Sequence, residues 1–312
     1  MDRVEVFDLL RRLGEGTVEL KWDPRTKTIV LIVFSEKGGV GKTALVNALA
    51  AVMGRAGLKV LVIDLDPRAT ATHELGVLSP AFSVNDLLYI DAKDPDPVSP
   101  RGLAAEAILP AGEAWPDTVH LIAAERALGN RESDNTPGME VRLRLSLQGV
   151  AEGYDLVLID VPPRPGGKLA AAAIQAATHA LLPSTLDEDG FIGANDAVLS
   201  IKRSRLNQGL PPLPIVGVIR NIVDRRRTGL AELYDTKLAQ EWPRDSADRC
   251  GDCAEAVCPH VPRLIEDVAI PKYVIRQESR SAQVPFTAAG TAEAELLRRA
   301  CTKLLNHVAE VA

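Results

Sequence analysis

The chain has 312 residues, 46% of them hydrophobic and 4% aromatic, with a formal net charge of −6. That length accommodates one large α/β domain or two small ones, and the hydrophobic share calls for a globular core. The acidic balance excludes a globally basic nucleic-acid binder, so any such role needs a local basic patch.

A core rich in aliphatic side chains and poor in aromatic ones suits a buried parallel sheet with helices on both faces. No apolar run approaches the roughly 18 residues of a membrane-spanning helix. Met1-Asp2-Arg3-Val4-Glu5 lacks the basic-then-apolar layout of a signal peptide. A cytoplasmic protein is expected, whose four cysteines are thiols or metal ligands rather than disulfides.

Residues 1–28 read as an arm ahead of the main domain, 29–312. Val4, Phe7, Leu9, Leu10 and Leu13 fall at roughly helical spacing, and Gly14-Glu15-Gly16 ends that helix. Residues 17–22 alternate like a short strand, and Asp23-Pro24 turns the chain. The arm is expected to cap the domain edge; a partner-binding arm is the alternative.

Residues 29–34 are an unbroken apolar run, followed by Lys37-Gly38-Gly39-Val40-Gly41-Lys42-Thr43 and then by an apolar, helix-forming stretch over 44–53. Strand, glycine loop and helix are the setting of a phosphate-binding loop. Glycines let backbone N–H groups turn inward, and the helix N-terminus adds partial positive charge at the same spot. Lys42 is placed to neutralise the β- and γ-phosphates and the Thr43 hydroxyl to ligate Mg²⁺. The plain loop pattern needs glycine at position 36, where Glu36 stands. The spelling with Lys37 in front resembles the deviant Walker A motif of the ParA/MinD family of dimeric ATPases. That resemblance implies ATP and Mg²⁺ as ligands. It implies nucleotide contacts from Gly38, Gly39, Val40, Gly41, Lys42, Thr43 and Ala44. It also implies that Lys37 reaches across a two-fold interface to the partner's nucleotide.

Residues 59–63 read as a buried strand ending in Asp64-Leu65-Asp66-Pro67-Arg68-Ala69-Thr70. Carboxylates at the carboxyl end of a parallel strand lie where ligands bind in doubly wound sheets. Alternation points Asp64 and Asp66 to different sides of an extended chain. The segment resembles the Walker A′ box, DxDPQGN. By that match Asp66 orients the attacking water and Asp64 supports Mg²⁺. Arg68 replaces the usual Gln, Ala69-Thr70 replaces Gly-Asn, and Ala44 replaces a second Thr.

Residues 91–114, rich in Asp, Pro, Ala and Gly, read as a surface excursion. Residues 119–123 form a further strand, with His120 a packed or solvated strand residue. Tyr154-Asp155-Leu156-Val157-Leu158-Ile159-Asp160-Val161-Pro162-Pro163 is an apolar strand ending in a carboxylate suited to the Mg²⁺ water shell, with a rigid proline exit. It resembles the family's Walker B segment, with Arg164 in place of the usual Ser.

A helix is expected over 169–177, a strand over 180–183, an acidic loop over 185–189, a helix over 195–207 and a strand over 215–221. The resemblance makes Asn221 a base contact; a turn former at the strand end is the alternative. Asp224-Arg225-Arg226-Arg227-Thr228 reads either as a solvated basic turn or as a DNA phosphate contact. Together with Arg220, Lys202, Arg203 and Arg205 it could make one basic face. The segment resembles the family's region around an Arg-Thr pair that contributes to sequence-independent DNA binding. Residues 270–276 resemble the family's IPR loop. That match puts Pro271 beside the adenine and makes Lys272 and Arg276 candidates for DNA.

An insertion near 237–262 falls outside the family pattern and carries Cys250, Cys253, Cys258 and His260. Three thiols and an imidazole are the right number for tetrahedral Zn²⁺, within a tight span of eleven residues; free thiols are the alternative. Cys301 falls on a terminal helix with Leu297, Leu304 and Val308 and reads as core. The mixed charges of that helix argue against a basic membrane-binding helix.

The fold expected is α/β, a doubly wound, mostly parallel sheet with helices on both faces, of the P-loop type. The resemblance implies an ATP-dependent homodimer that binds DNA non-specifically at the nucleoid. It further implies slow hydrolysis stimulated by a ParB-like partner, in plasmid or chromosome partitioning. Two rivals remain: an iron–sulfur cluster carrier using the Cys250–Cys258 group, and a cargo-positioning switch without DNA.

Overall fold

The computed structural model describes residues 6–13, 15, 17–23, 27–91, 93–94, 98–224, 228–243, 258–272, 282–288 and 290–311. The strands are β1 (Ile29–Val33), β2 (Val60–Asp64), β3 (Ile108–Pro110), β4 (Val119–Ile122), β5 (Leu156–Asp160), β6 (His179–Ser184), β7 (Ile215–Val223) and β8 (Leu264–Pro271). The helices are α1 (Val6–Leu13), α2 (Lys42–Arg55), α3 (Thr70–Glu74), α4 (Val84–Leu88), α5 (Met139–Ser146), α6 (Lys168–Ala176), α7 (Glu188–Asn207), α8 (Gly229–Glu241) and α9 (Ala292–Glu310).

The described strands form one sheet in the order β3-β4-β2-β5-β1-β6-β7-β8. Every neighbouring pair is parallel except β3 with β4. Strands buried on both faces read as continuous apolar runs, which is why IVLIV and VLVID were legible as strands. Alternation splits each strand between two cores. Ile29, Leu31 and Val33 pack with α2 and α9 on one face; Val30, Ile32 and Phe34 pack with α4–α7 on the other. Strand β1 lies between β5 and β6, where the winding reverses, so the carboxyl ends of β1, β2 and β5 open onto the switch-point crevice.

Three segments differ from the sequence-based expectation. Residues 17–22 pair with no strand; instead Asn306 of α9 holds them, accepting from Lys21 N at 2.7 Å and donating to Glu19 O at 3.0 Å. The excursion over 91–114 includes a 3₁₀ turn (Leu103–Ala107) with Ala104 and Ala107 in the core, and then the edge strand β3. The acidic loop over 185–189 is the start of α7. Asp187 caps that helix by accepting from Gly190 N at 2.8 Å, and Glu188 and Asp189 occupy the first turn, where the helix dipole favours anions.

In the arm, Leu9, Leu10 and Leu13 are buried against the core that holds α2 and α9. On α9, Leu297, Cys301, Leu304 and Val308 are buried in the same core, and burial pushes the Cys301 thiol up to about 12. Among the described residues no helix is long and apolar enough to cross a membrane.

Candidate nucleotide site

The loop after β1 turns at Gly39 and Gly41, with φ of 80° and 84°. Gly41 is constrained twice over, because a Cβ there would lie 2.8 Å from Asn221 Nδ2. Helix α2 then begins at Lys42 with no side-chain cap, which leaves its first N–H groups pointing at the loop. Lys42 is buried, and its ammonium donates to the carbonyls of Ser35 and Lys37, both at 3.0 Å. Burial pushes that ammonium down to about 8, against the pull of Asp160 and Asp66.

Two buried carboxylates face this loop. Asp64 and Asp160 end neighbouring strands in direct register. Thr43 Oγ1 donates to Asp160 Oδ2 at 2.7 Å, while Asp160 Oδ1 is buried with no hydrogen-bond partner. Burial, reinforced by the Asp64 charge, pushes the Asp160 carboxyl up to about 8. Asp64 is also buried; it accepts from Thr72 N at 2.9 Å and Thr72 Oγ1 at 2.8 Å through Oδ2, and from Asp66 N at 3.0 Å through Oδ1. Burial pushes its carboxyl up to about 6 against those bonds. An orphaned carboxylate oxygen beside a threonine hydroxyl fits a hard, oxygen-seeking cation, so Thr43 and Asp160 suit Mg²⁺. The hydrogen bonds of Asp64 make it the brace that fixes the turn after β2.

Lys37, at the front of the loop, forms an ion pair with Asp189 in the first turn of α7. Its Cβ passes so close to Gly193 that a Cβ there would come within 2.6 Å. Glu36 is bonded to Ser200, so the loop's leading edge is strapped to α7. The sequence reading missed these α7 partners, because nothing local links position 37 to 189 or 200.

Asn221 lies beneath the loop, and its amide donates to Val40 O at 2.6 Å. It gets there through an irregularity in β7, where the register shifts between Arg220 and Val223 and Ile222 has φ of 55°. A β-branched residue in that region is strained, and the strain places Asn221 and Ile222 against Gly41. Pro271 ends β8 opposite Val223, and Lys272 is exposed after it, donating its backbone N–H to Val223 O at 2.9 Å.

Two basic residues are corrected. Arg220 is only 2% exposed; it pairs with Asp235 of α8 and donates to the carbonyls of Ile265 and Glu266. Arg205 is buried and bonded to the carbonyls of Pro211 and Ile174. A guanidinium used up inside the fold cannot contact DNA phosphates, so neither belongs to a basic face. Lys202 and Arg203 are exposed on α7. Arg225, Arg226, Arg227 and Arg276 lie outside the described residues.

Of the candidate zinc ligands, Cys250 and Cys253 lie outside the described residues. Cys258 is buried, with Sγ 3.8 Å from His260 Nδ1. Among the described residues no group of three potential ligands comes together, so a zinc or iron–sulfur site has no support from the described geometry.

A family model described as an AAA domain matches residues 26–210. The chromosome partitioning protein ParA of Myxococcus xanthus is 30% identical over 217 residues, covering 69% of this chain and 71% of that protein. The chain belongs to the ParA/MinD family of deviant Walker A ATPases. The sporulation initiation inhibitor protein Soj of Bacillus subtilis is 28% identical over 257 residues, covering 81% of this chain and 92% of that protein. Among solved structures, the ATP complex of a Cyanothece McdA variant superposes with a TM-score of 0.68 at 21% identity, covering 90% of this chain and 97% of that one. At that identity the likeness is one of fold. It agrees with a P-loop core of the ParA/MinD type; the sequence relatives Soj and ParA set the chain on the ParA/Soj side of the family.

Proposed function

We propose that this ParA-family chain is a nucleotide switch that binds Mg²⁺-ATP, dimerises around it and then holds DNA without sequence preference in a partitioning reaction. The observation that carries the reading is the convergence of Lys42, Thr43 and the half-unpartnered Asp160 on a glycine loop preceded by Lys37. Loop N–H groups and Lys42 hold the β- and γ-phosphates. Bound through Thr43 and Asp160, Mg²⁺ supplies charge neutralisation at the phosphates. Asp66 orients a water for attack on the γ-phosphorus. A phosphorus–oxygen bond to that water forms, the bond to the bridging oxygen breaks, ADP leaves with the bridging oxygen, and of the water's two protons one stays on inorganic phosphate and one passes to solvent. Lys37 exchanges Asp189 for the nucleotide of a second copy, so ATP stabilises the dimer through contacts that the empty state lacks. A ParB-like protein is the expected stimulator of hydrolysis.

One observation favours a second reading, a cargo-positioning switch without DNA. With Arg205 and Arg220 buried, the proposed basic face is smaller than the sequence suggested. One experiment separates the two: retention on DNA at low salt with ATP, ADP or no nucleotide, for wild type, Lys37→Ala and the triple alanine variant of Arg225, Arg226 and Arg227. The partitioning reading expects ATP-dependent retention that falls steeply with salt, is lost in Lys37→Ala together with the dimer, and is lost in the triple variant with the dimer intact. A dimer that forms with ATP yet never retains DNA selects the second reading.

A further inference from the structure

Arg68 stands where the resembling box has glutamine, and in this fold it closes back on Asp66. Four contacts join the two residues. Arg68 N donates to Asp66 Oδ1 at 3.0 Å, Nη2 to Oδ2 at 3.0 Å, and Nε is shared between Oδ2 at 3.3 Å and Oδ1 at 3.4 Å. A carboxylate offers about four lone-pair positions. Three N–H groups of Arg68 therefore take up most of the acceptor capacity of Asp66, and a water has to compete with the guanidinium for its oxygens.

The turn makes this pairing local. Ala69 adopts φ of 52°, and its N–H donates to Asp66 O at 2.8 Å, folding residue 68 back over residue 66. The partners differ sharply in exposure: the Asp66 side chain is 8% exposed and the Arg68 side chain 71%. Among the described residues, Asp66 is the hydrogen-bonding partner of the guanidinium. Beside it lies an open cavity of about 640 Å³, lined by Arg68 itself and by His73, Leu78, Glu125 and Arg126.

We propose that Arg68 is a positioning residue that holds Asp66 in a water-excluding pair and so slows hydrolysis of ATP bound at the loop. The proposal rests on the ATPase reading above and assigns this chain its own brake on that site. When the guanidinium turns into the cavity, the Asp66 oxygens open and can accept a hydrogen bond from the attacking water. Glutamine at 68 is neutral and lacks the fork, so it cannot close both oxygens at once.

The test is steady-state ATP turnover by the full chain, comparing wild type with Arg68→Gln, Arg68→Lys, Asp66→Asn and the double variant Asp66→Asn/Arg68→Gln. Arg68→Gln is expected to raise kcat about two- to fivefold, the scale of an exposed ion pair, with KM for ATP and the melting temperature unchanged. Arg68→Lys keeps the charge without the fork and should fall between wild type and Arg68→Gln. In the Asp66→Asn background the Arg68 change should have no effect, since the two residues act as one unit. An unchanged or lower kcat in Arg68→Gln, with Asp66→Asn inactive, overturns the brake and leaves the ATPase reading standing. No turnover in either wild type or Arg68→Gln, or full turnover in Asp66→Asn, overturns that reading and the brake with it.

Discussion

The crevice above β1, β2 and β5 and the edge formed by β7, β8 and α8 both contain buried charge, but they use it in opposite ways. In the crevice, Asp160 has one oxygen bonded to Thr43 and one with no partner, and Lys42 sits among carbonyls with its ammonium pushed down by burial. At the edge, Arg220 is buried as deeply but paired with Asp235 and two carbonyls. Burying a charge without full compensation is costly, so a fold retains it only where something else completes the site. The open valence of Asp160, beside Thr43 and a glycine loop, leaves a place for a ligand; the closed valence of Arg220 serves the fold. Grouping basic residues by their place in the sequence gave Arg220 a role on the DNA face, and only its partners corrected that.

The comparison can be broken most directly at its two centres. Lys42→Ala should cut ATP turnover by about a hundredfold or more, because it removes a preorganised cation from the phosphates. The check is a turnover assay alongside a circular dichroism spectrum, and a well-folded variant that still hydrolyses ATP normally would mean that the crevice is not the site. Arg220→Ala should do the reverse. It should cost about 3–5 kcal/mol in urea unfolding by breaking the buried pair with Asp235, while the folded fraction keeps its nucleotide affinity. A stable Arg220→Ala protein with impaired DNA retention would place Arg220 on the DNA face after all.

A smaller effect sharpens the comparison at the solvent boundary. His307 on α9 bonds to Asp267 of β8 at 2.7 Å, with Glu310 and Lys303 nearby. The bond to Asp267 holds the imidazole above its ordinary value, with burial and Lys303 acting against it. A raised folded-state value means that this contribution is complete below the unfolded value, about 6.5. It is lost as pH rises through the folded value. Wild type should therefore lose a small increment of stability across that window relative to His307→Gln, read as the difference in urea midpoint. Parallel midpoints at every pH would show the contact to be energetically silent.

Much of the fold was legible because its signals are local. The apolar runs IVLIV, VLVID and LVLID, each leading into charged or glycine-rich residues, announce buried parallel strands with a site at their carboxyl ends. The loop from Lys37 to Thr43 carries its own conformational requirements in its glycines. Strand-like alternation over 17–22 misled because period two records only which side chains face inward; here the segment hangs on Asn306 rather than on a sheet edge. The acidic stretch at 187–189 looked like a loop because anions suit loops and helix starts alike, and Gly190 and Gly193 further obscured α7.

Residue types at short spacing were enough to establish the loop, the three strands that lead into the site and the family to which they belong. Packing in three dimensions settled which charges are still free to act. Arg205 and Arg220 are closed by partners 6 to 46 residues away, and Lys37 is held by Asp189, 152 residues distant. Arg68 is the instructive exception. Its partner is two residues away, across a turn that the left-handed Ala69 folds back and that Asp64 and Thr72 brace. Whether a charged side chain faces a ligand or its own chain depends on burial and on partners distant in sequence, and no local pattern records either.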